Sequence, residues 1–347
     1  MSYVHTMTTV EPAPRIGVVI PCYRVRDQVL DVIARIGDEV NRIYVVDDCC
    51  PQNTGDHVEK HRPDDRVTVL RHTTRKGVGG ATVSGYNKAL DDRCDLIVKI
   101  DGDGQMDPAM IPRVVDPVLS GSADYAKGNR FFRLEDLAEM PRLRLVGNGV
   151  LSFLTKLSTG YWDLFDPTNG FTVIHAKVAR ALPLHRLSQG YFFESDMLFR
   201  LATVRAVVID VPMTSHYRGG ESNLRISSVV GVFLVKHVVN TFKRIFYNYF
   251  LRSFNIASVE LALGLLLVSF GGTVGVLEWI RSSREQIDSS SGTVMLAALP
   301  VILGCQMLIA FQSFDVQHQP RTPMHPQLWD PKARSFGRQS SGTIPKN

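Results

Sequence analysis

The stretch that decides the fold is DLIVKIDGDGQMDP, residues 95–108. Its first half is a short apolar run of strand length and its second half a turn rich in Gly and Asp, which predicts a buried strand delivering carboxylates at its carboxyl end. Two Asp separated by one Gly can converge on a single hard cation. Carboxylates at the mouth of a buried strand are unfavourable unless they bind something, so Asp101 and Asp103 are the first candidate functional residues.

Working outward, the same alternation recurs. IGVVI (16–20), a helical pattern through VLDVIARI (29–36), RIYVVDD (42–48), RVTVLRH (66–72) and a helix after Gly79 precede the deciding stretch. Strands alternating with helices over residues 15–210 predict an α/β domain with a mainly parallel sheet, whose ligands sit beyond the carboxyl ends of the strands. Those ends supply Pro21 and Tyr23, the acidic pair Asp47 and Asp48, and Asp101, Asp103 and Gln105. Arg75–Ala81 (RKGVGGA) is a basic, Gly-rich turn opening a helix, where backbone N–H groups and Lys76 could meet a phosphate. No G-K-[ST] or G-x-G-x-x-G follows, which excludes a P-loop and a dinucleotide fingerprint.

The C-terminal third has a different character. Leu261–Leu277 carries no charge, and a second uncharged stretch runs from Ser289 to Phe314. With their flanks both reach the length of about 20 residues that a membrane-crossing helix needs. Pro300 is expected to kink the second, which membrane helices tolerate. Before them, Ile226–Phe250 repeats apolar residues at helical spacing opposite Lys236, Lys243, Arg244 and Arg252, the pattern of a helix lying in the membrane interface. Basic residues cluster before the first stretch and after the second, so the α/β part and both ends are expected on the cytoplasmic side. The predicted organisation is a disordered N-terminus (1–14), an α/β domain (15–225), an interfacial helix (226–252), a span (256–280), a turn (281–291), a second span (292–314) and a polar tail (315–347).

Composition narrows the partners. Lys and Arg number 39 against 34 Asp and Glu, a net charge of +5 that suits phosphorylated ligands and an anionic membrane face but is thin for a nucleic-acid binder. The five cysteines are odd in number and lack a C-x-x-C spacing, which argues for free thiols and against zinc or redox chemistry.

PCYR, VVDDCCPQNT, RKGVGGATVSGY, KIDGDGQMDP and KGNRF, in this order, resemble the inverting family-two glycosyltransferases of the GT-A fold, and within them the dolichyl- and polyprenyl-phosphate sugar synthases. The resemblance covers residues 15–225 and implies a metal-dependent sugar transfer from a UDP- or GDP-linked sugar to polyprenyl phosphate. It implies that Pro21, Tyr23, Asp47, Asp48, Lys76, Gly77 and Asp101 line the nucleotide-sugar pocket. Asp101, Asp103 and Gln105 would hold Mg2+ or Mn2+. Arg130 and Arg144 are the implied clamps for the acceptor phosphate, with Arg142 and Asn148 nearby in sequence. Asp166–Gly170 corresponds to the family's segment beside the sugar, and Glu194 and Asp196 to its acidic pair. Where members glycosylate a hydroxyl, one such carboxylate is the general base, so an alternative is a hydroxyl acceptor on a saccharide or glycolipid, with Asp196 as base. Arg218, beside His216, lies in what resembles the family's mobile loop and would neutralise the leaving diphosphate. One departure is that the family's D-D-G-S-x-D becomes Asp48-Cys49-Cys50-Pro51-Gln52, leaving UDP against GDP open. Membrane lipids complete the expected partners, and a homo-oligomer is compatible with the sequence.

Overall fold

The computed structural model describes residues 13–61, 64–132, 142–213 and 226–328. The expected loop carrying His216 and Arg218, the N-terminal residues 1–12 and the tail beyond Leu328 lie outside the described residues, as do the side chains of Arg142 and Arg144. The chain divides into two compact units, residues 1–149 with 164–223 and 321–347, and residues 150–163 with 224–320.

The first unit is an α/β domain. Its strands are β1 (Ile16–Cys22), β2 (Arg42–Asp47), β3 (Val67–Arg71), β4 (Leu96–Lys99), β5 (Tyr125–Asn129), β6 (Thr172–His175) and β7 (Val208–Pro212). They form one sheet in the order β3-β2-β1-β4-β6-β5-β7. The pairs β1·β2, β1·β4, β2·β3 and β5·β7 are parallel, whereas β6 runs antiparallel to both neighbours. Helices α1 (Arg26–Ala34), α2 (Thr54–His61), α3 (Gly77–Asp91) and α4 (Ile111–Leu119) connect the strands. β1, β2 and β4 are almost wholly buried and rich in Val and Ile, as strands covered on both faces must be. Val18, Ile20, Val45, Val98, Val114 and Phe171 lie in the resulting core.

Helix α5 (Arg142–Thr159) begins in the first unit, followed there by α6 (Ala176–Ala181) and α7 (Phe193–Val204). Order switches at β1: the chain winds outward through β2 and β3, then crosses back to β4. That switch opens a crevice at the carboxyl ends of β1 and β4, where such sheets bind ligands.

The second unit is helical. α8 (Ile226–Ile245) continues as a π-helical segment over Phe246–Arg252, then α9 (Ile256–Glu285) and α10 (Ser291–Gln317) pair as a hairpin. α9 and α10 are long and apolar enough to cross a membrane, with mean hydropathy 1.9 and 2.3 in their most apolar windows. Their outer side chains, including Leu266, Trp279, Ile302 and Ile309, are exposed. The helices touch through small residues: a Cβ on Gly304 would lie 2.8 Å from the Gly264 carbonyl oxygen. Asn255 and Ser290 cap the two N-termini. α8 exposes Val232, Val235 and Phe242, and the π-helical segment after it exposes Phe246.

Three boundaries differ from the sequence reading. α9 runs on to Glu285, so the turn is Gln286–Ser290 and shorter than 281–291, because Arg281 pairs with Glu278 one helical turn back and prolongs the helix. α10 continues through Pro300 and past residue 314 to Gln317. The tail is not uniformly a loose polar segment, since residues 321–328 belong to the first unit. There the buried Asp124 carboxylate accepts the backbone N–H groups of Met324 (2.9 Å) and His325 (2.8 Å) and also that of Val207 (2.8 Å). The His325 ring meets Asp124 at 2.8 Å and stacks on His175 at 4.3 Å. A fully buried carboxylate needs such donors, and periodicity in the tail carries no trace of them.

Candidate active site

The crevice is walled by four loops. At the end of β1, Pro21 and Cys22 are buried in the strand and Tyr23 emerges from it. The Arg75 guanidinium lies 3.9 Å from the centre of the Tyr23 ring, a cation–π contact joining the β1 end to the Gly-rich turn.

Asp47 and Asp48 follow β2. Asp47 accepts the N–H groups of Cys50 (2.7 Å) and Gly55 (2.6 Å) and so closes the turn into α2. Asp48 accepts from Lys76 N (2.8 Å) and Gly77 N (2.7 Å), and its Oδ1 meets His72 Nδ1 at 2.7 Å. His72 in turn reaches Ser84 Oγ at 2.8 Å. Both acids therefore fix the loops around the crevice. The Gly77 and Lys76 amides face Asp48, while those of Gly79 and Gly80 donate to the Gln189 carbonyl (2.7 and 3.3 Å). The N–H groups that the sequence offered to a phosphate at the start of α3 are thus engaged within the protein. The glycines are there for close approach: a Cβ on Gly79 would sit 2.1 Å from the Ser188 carbonyl oxygen, and Gly77 adopts φ +84° against Gln189. The Lys76 side chain is exposed.

The turn after β4 carries Asp101 and Asp103. Asp103 Oδ1 accepts from Gln105 N (3.0 Å), and burial together with the charge of Asp101 raises its pKa. Asp101 is held by Lys99, whose Nζ lies 2.7 Å from Asp101 Oδ1, 3.2 Å from Glu194 Oε1 and 3.3 Å from the Gly170 carbonyl. Asp101 Oδ2 is directed over Gly170, where a Cβ would approach it to 2.3 Å. Lys99 was passed over in the sequence because it sits within an apolar strand run. The available signal was its position: an ammonium in a buried strand requires a carboxylate partner.

Glu194 and Asp196 open α7 and are buried. Burial and Asp101 raise the pKa of Glu194 against the opposing pull of Lys99. Asp196 Oδ2 accepts Ser188 N (2.8 Å) and pairs with Arg200 at 3.3 Å. Each acid of the pair is thus ionically matched.

Arg130, after β5, forms a two-pronged ion pair with Asp166, Nε to Oδ2 at 2.7 Å and Nη2 to Oδ1 at 2.9 Å. Burial would raise the Asp166 pKa, but its Arg130 hydrogen bonds outweigh burial and hold it low. Asn169 Nδ2 adds a contact to Asp166 at 3.3 Å. The Asp166–Gly170 segment is thereby fixed to β5 at one end and to Lys99 at the other.

The structure therefore brings Asp101, Glu194 and Gly170 together around Lys99, and Arg130 against Asp166. Asp47 instead closes the turn into α2, and Asp48 ties the end of β2 to the start of α3. Among the described residues, no group of three or more His, Cys, Asp or Glu side chains converges on one metal position. The donor set at the β4 turn still fits a divalent cation such as Mg2+ or Mn2+, which commonly binds one or two carboxylates and completes its sphere with water and substrate phosphate. Asp101 and Asp103 are close enough to raise the pKa of Asp103, a repulsion that a cation between them would relieve.

Residues 17–182 match the profile of glycosyl transferase family 2. The chain is 32% identical over 215 residues to the undecaprenyl-phosphate mannosyltransferase of Micrococcus luteus, covering 60% of this chain and 87% of that protein. It is 30% identical over 212 residues to the polyprenol monophosphomannose synthase of Mycolicibacterium smegmatis, covering 59% and 79%. Its fold matches a glucosyl-3-phosphoglycerate synthase of Mycobacterium tuberculosis, solved with Mn2+, UDP and phosphoglyceric acid, at a TM-score of 0.50 and 18% identity over 67% of this chain and 78% of that one. The chain belongs to glycosyl transferase family 2: it is a glycosyltransferase with a GT-A-like domain followed by a helical hairpin.

Proposed function

We propose that the protein transfers a single sugar, with inversion, from a nucleotide-diphosphate sugar to polyprenyl phosphate at the cytoplasmic face of a membrane. The observation that carries this reading is the engagement of Asp196, the base implied for a hydroxyl acceptor, by Ser188 N at 2.8 Å and by Arg200 at 3.3 Å. A hydroxyl acceptor needs a general base, and a carboxylate matched to a cation is poorly suited to that task. A phosphate acceptor is already ionised at neutral pH and needs none. The two relatives named for polyprenyl- and undecaprenyl-phosphate mannosyl transfer support the same acceptor class.

In this reading an acceptor phosphate oxygen forms a bond to the anomeric carbon as the bond to the donor diphosphate breaks on the opposite side. The nucleoside diphosphate departs with the bonding electrons. Asp101 and Asp103, with Gln105, would hold a divalent cation, Mg2+ or Mn2+, which when bound neutralises charge on the leaving diphosphate. Lys76 would add positive charge beside the leaving diphosphate, and the family resemblance assigns Arg218 the same task. Pro21 and Tyr23 wall the nucleotide, with Asp48 shaping that wall through the hydrogen bond it accepts from Gly77 and Asp47 by closing the turn into α2. Arg130 and Arg144 serve the acceptor phosphate, the former oriented by Asp166. Glu194 and Asp196 orient the sugar and its surrounding loops.

The membrane component rests on α9 and α10 as two spans and on the exposed apolar side chains of α8 lying in the interface. Because residues 321–328 rejoin the catalytic unit after the hairpin, its two ends belong on one side of the bilayer, which supports an even number of crossings. The test is purified protein in detergent with radiolabelled UDP- and GDP-sugars. A metal-dependent lipid-linked product from polyprenyl phosphate is expected. Product from saccharide or glycolipid hydroxyls alone, or from no acceptor, would overturn the reading.

A further inference from the structure

Lys99 has no exposed surface, yet it carries an ammonium. Its three N–H groups match three acceptors from three distant segments: Asp101 after β4, the Gly170 carbonyl before β6, and Glu194 at the start of α7. Burial, the largest single influence on this ammonium, disfavours its charge, but Asp101 and Glu194 outweigh burial and the pKa is raised. Water is no alternative partner for it: Thr172 stands opposite Lys99 in the β4·β6 pairing, and the buried Tyr86 lies close enough to feel its charge. Gly170 is also tightly fitted: a Cβ there would lie 2.6 Å from Lys99 Nζ.

We propose that Lys99 is a positioning residue of the transfer reaction, fixing the Asp101 carboxylate relative to Glu194 and the Asp166–Gly170 segment so that the diphosphate and sugar sides of the crevice keep one spacing. The assignment rests on the roles given above to Asp101 and Glu194. With Oδ1 of Asp101 held by Lys99, the carboxylate keeps a single orientation, with Oδ2 over Gly170. Removing the ammonium would leave two carboxylates across a dry gap with nothing between them, and their repulsion would turn Asp101 away from its bound orientation. Lys99 touches neither donor nor acceptor and acts through Asp101 and Glu194.

The experiment measures binding of UDP and GDP by calorimetry, with and without Mn2+, alongside kcat, acceptor KM and melting temperature, on full-length native protein, Lys99→Met and Lys99→Met/Glu194→Gln. For Lys99→Met the Mn2+-dependent gain in nucleotide affinity is expected to fall at least 10-fold and kcat at least 100-fold, while metal-free nucleotide binding and acceptor KM change less than threefold. The double variant, which removes one charge of each sign, is expected to recover part of the Mn2+-dependent affinity yet remain at least threefold weaker than native. A merely structural lysine would lower metal-free binding, acceptor binding and melting temperature together. A folded Lys99→Met protein with native Mn2+-dependent affinity and kcat overturns the proposal. Should Lys99→Met fail to fold, a double variant within threefold of native does the same. Native protein that binds neither nucleotide with Mn2+ defeats the underlying reading of Asp101 and the proposal with it, whereas native binding without lipid-linked product defeats the acceptor assignment alone.

Discussion

Arg244 and Asp315 form a buried two-pronged ion pair, Nη1 to Oδ1 at 2.7 Å and Nη2 to Oδ2 at 3.0 Å. Asp315 also accepts from Trp162 Nε1 (3.0 Å) and Tyr249 (2.5 Å), and Arg244 Nε donates to the Leu157 carbonyl at 3.1 Å. The pair links α8, the π-helical segment after it, and the end of α10 into one hydrogen-bonded knot. Removing one member leaves the other charge buried without its partner, which costs about 3–5 kcal/mol. Arg244→Met and Asp315→Asn are each expected to lower the melting temperature in detergent markedly. The combined Arg244→Met/Asp315→Leu protein is expected to be less damaged than the sum of its parts, and strict additivity would contradict a direct pair.

Gly170→Ala tests the close fit over Asp101. The added methyl would lie 2.3 Å from Asp101 Oδ2, so the carboxylate must move. Turnover is expected to fall by about 100-fold, consistent with the sensitivity of catalysis to misplacement of about 1 Å. Far-ultraviolet circular dichroism should remain native, because the change is local. Native turnover would show that the Asp101 position does not matter.

Asp103 is exposed as a residue although its carboxylate is partly desolvated, and its hydrogen bond is to the Gln105 amide of its own turn. Asp103→Ala is therefore expected to keep the native melting temperature within about 2 °C, since surface substitutions usually change stability by no more than about 0.5 kcal/mol. Turnover should fall below detection. EDTA should mimic the substitution, with Mn2+ or Mg2+ restoring activity to the native protein alone; activity undiminished by EDTA would remove the metal assignment.

His175 provides a pH signature. Burial, followed by the neighbouring His325, pulls its pKa from 6.5 to about 4, and its Nδ1 accepts the Lys177 N–H at 3.1 Å, which requires the neutral ring. The unfolded chain binds the proton more readily, so the native stability is present above pH 6.5 and is lost as pH falls toward 4. After allowance for solvent screening the loss is on the order of 2 kcal/mol. Melting temperatures of native protein and His175→Gln between pH 7 and 4.5 should converge as the pH falls, and parallel curves would refute the assignment.

Much of the architecture was legible because it is local. The apolar runs at 16–20, 42–48, 66–72 and 95–100 became β1 to β4 with small shifts of boundary, and the two uncharged C-terminal stretches became α9 and α10. The turn at Asp101–Asp103 stands where the strand pattern placed it. What the sequence concealed was the long-range pairing: Lys99 with Glu194, Asp48 with the amides of Lys76 and Gly77, and Asp315 with Arg244. Periodicity reports which face of an element is apolar and is silent about which distant group satisfies a buried charge. Lys99, within a buried strand, and Asp315, at the end of an apolar helix, were both visible as misfits, but their partners required the fold.

The meeting of Asp124 with Met324 and His325 orders events in time as well as space. The ribosome makes β5 some 200 residues before the donors that complete the hydrogen bonding of Asp124. Until both apolar helices have been synthesised, that carboxylate lacks three of its four partners, so the transferase domain reaches its final state after the hairpin has been made. A recombinant fragment cut at residue 225 would carry this vacancy permanently. A soluble version is better built by joining residues 1–225 through a short linker to 320–328, returning the missing donors to Asp124 without the hairpin between them.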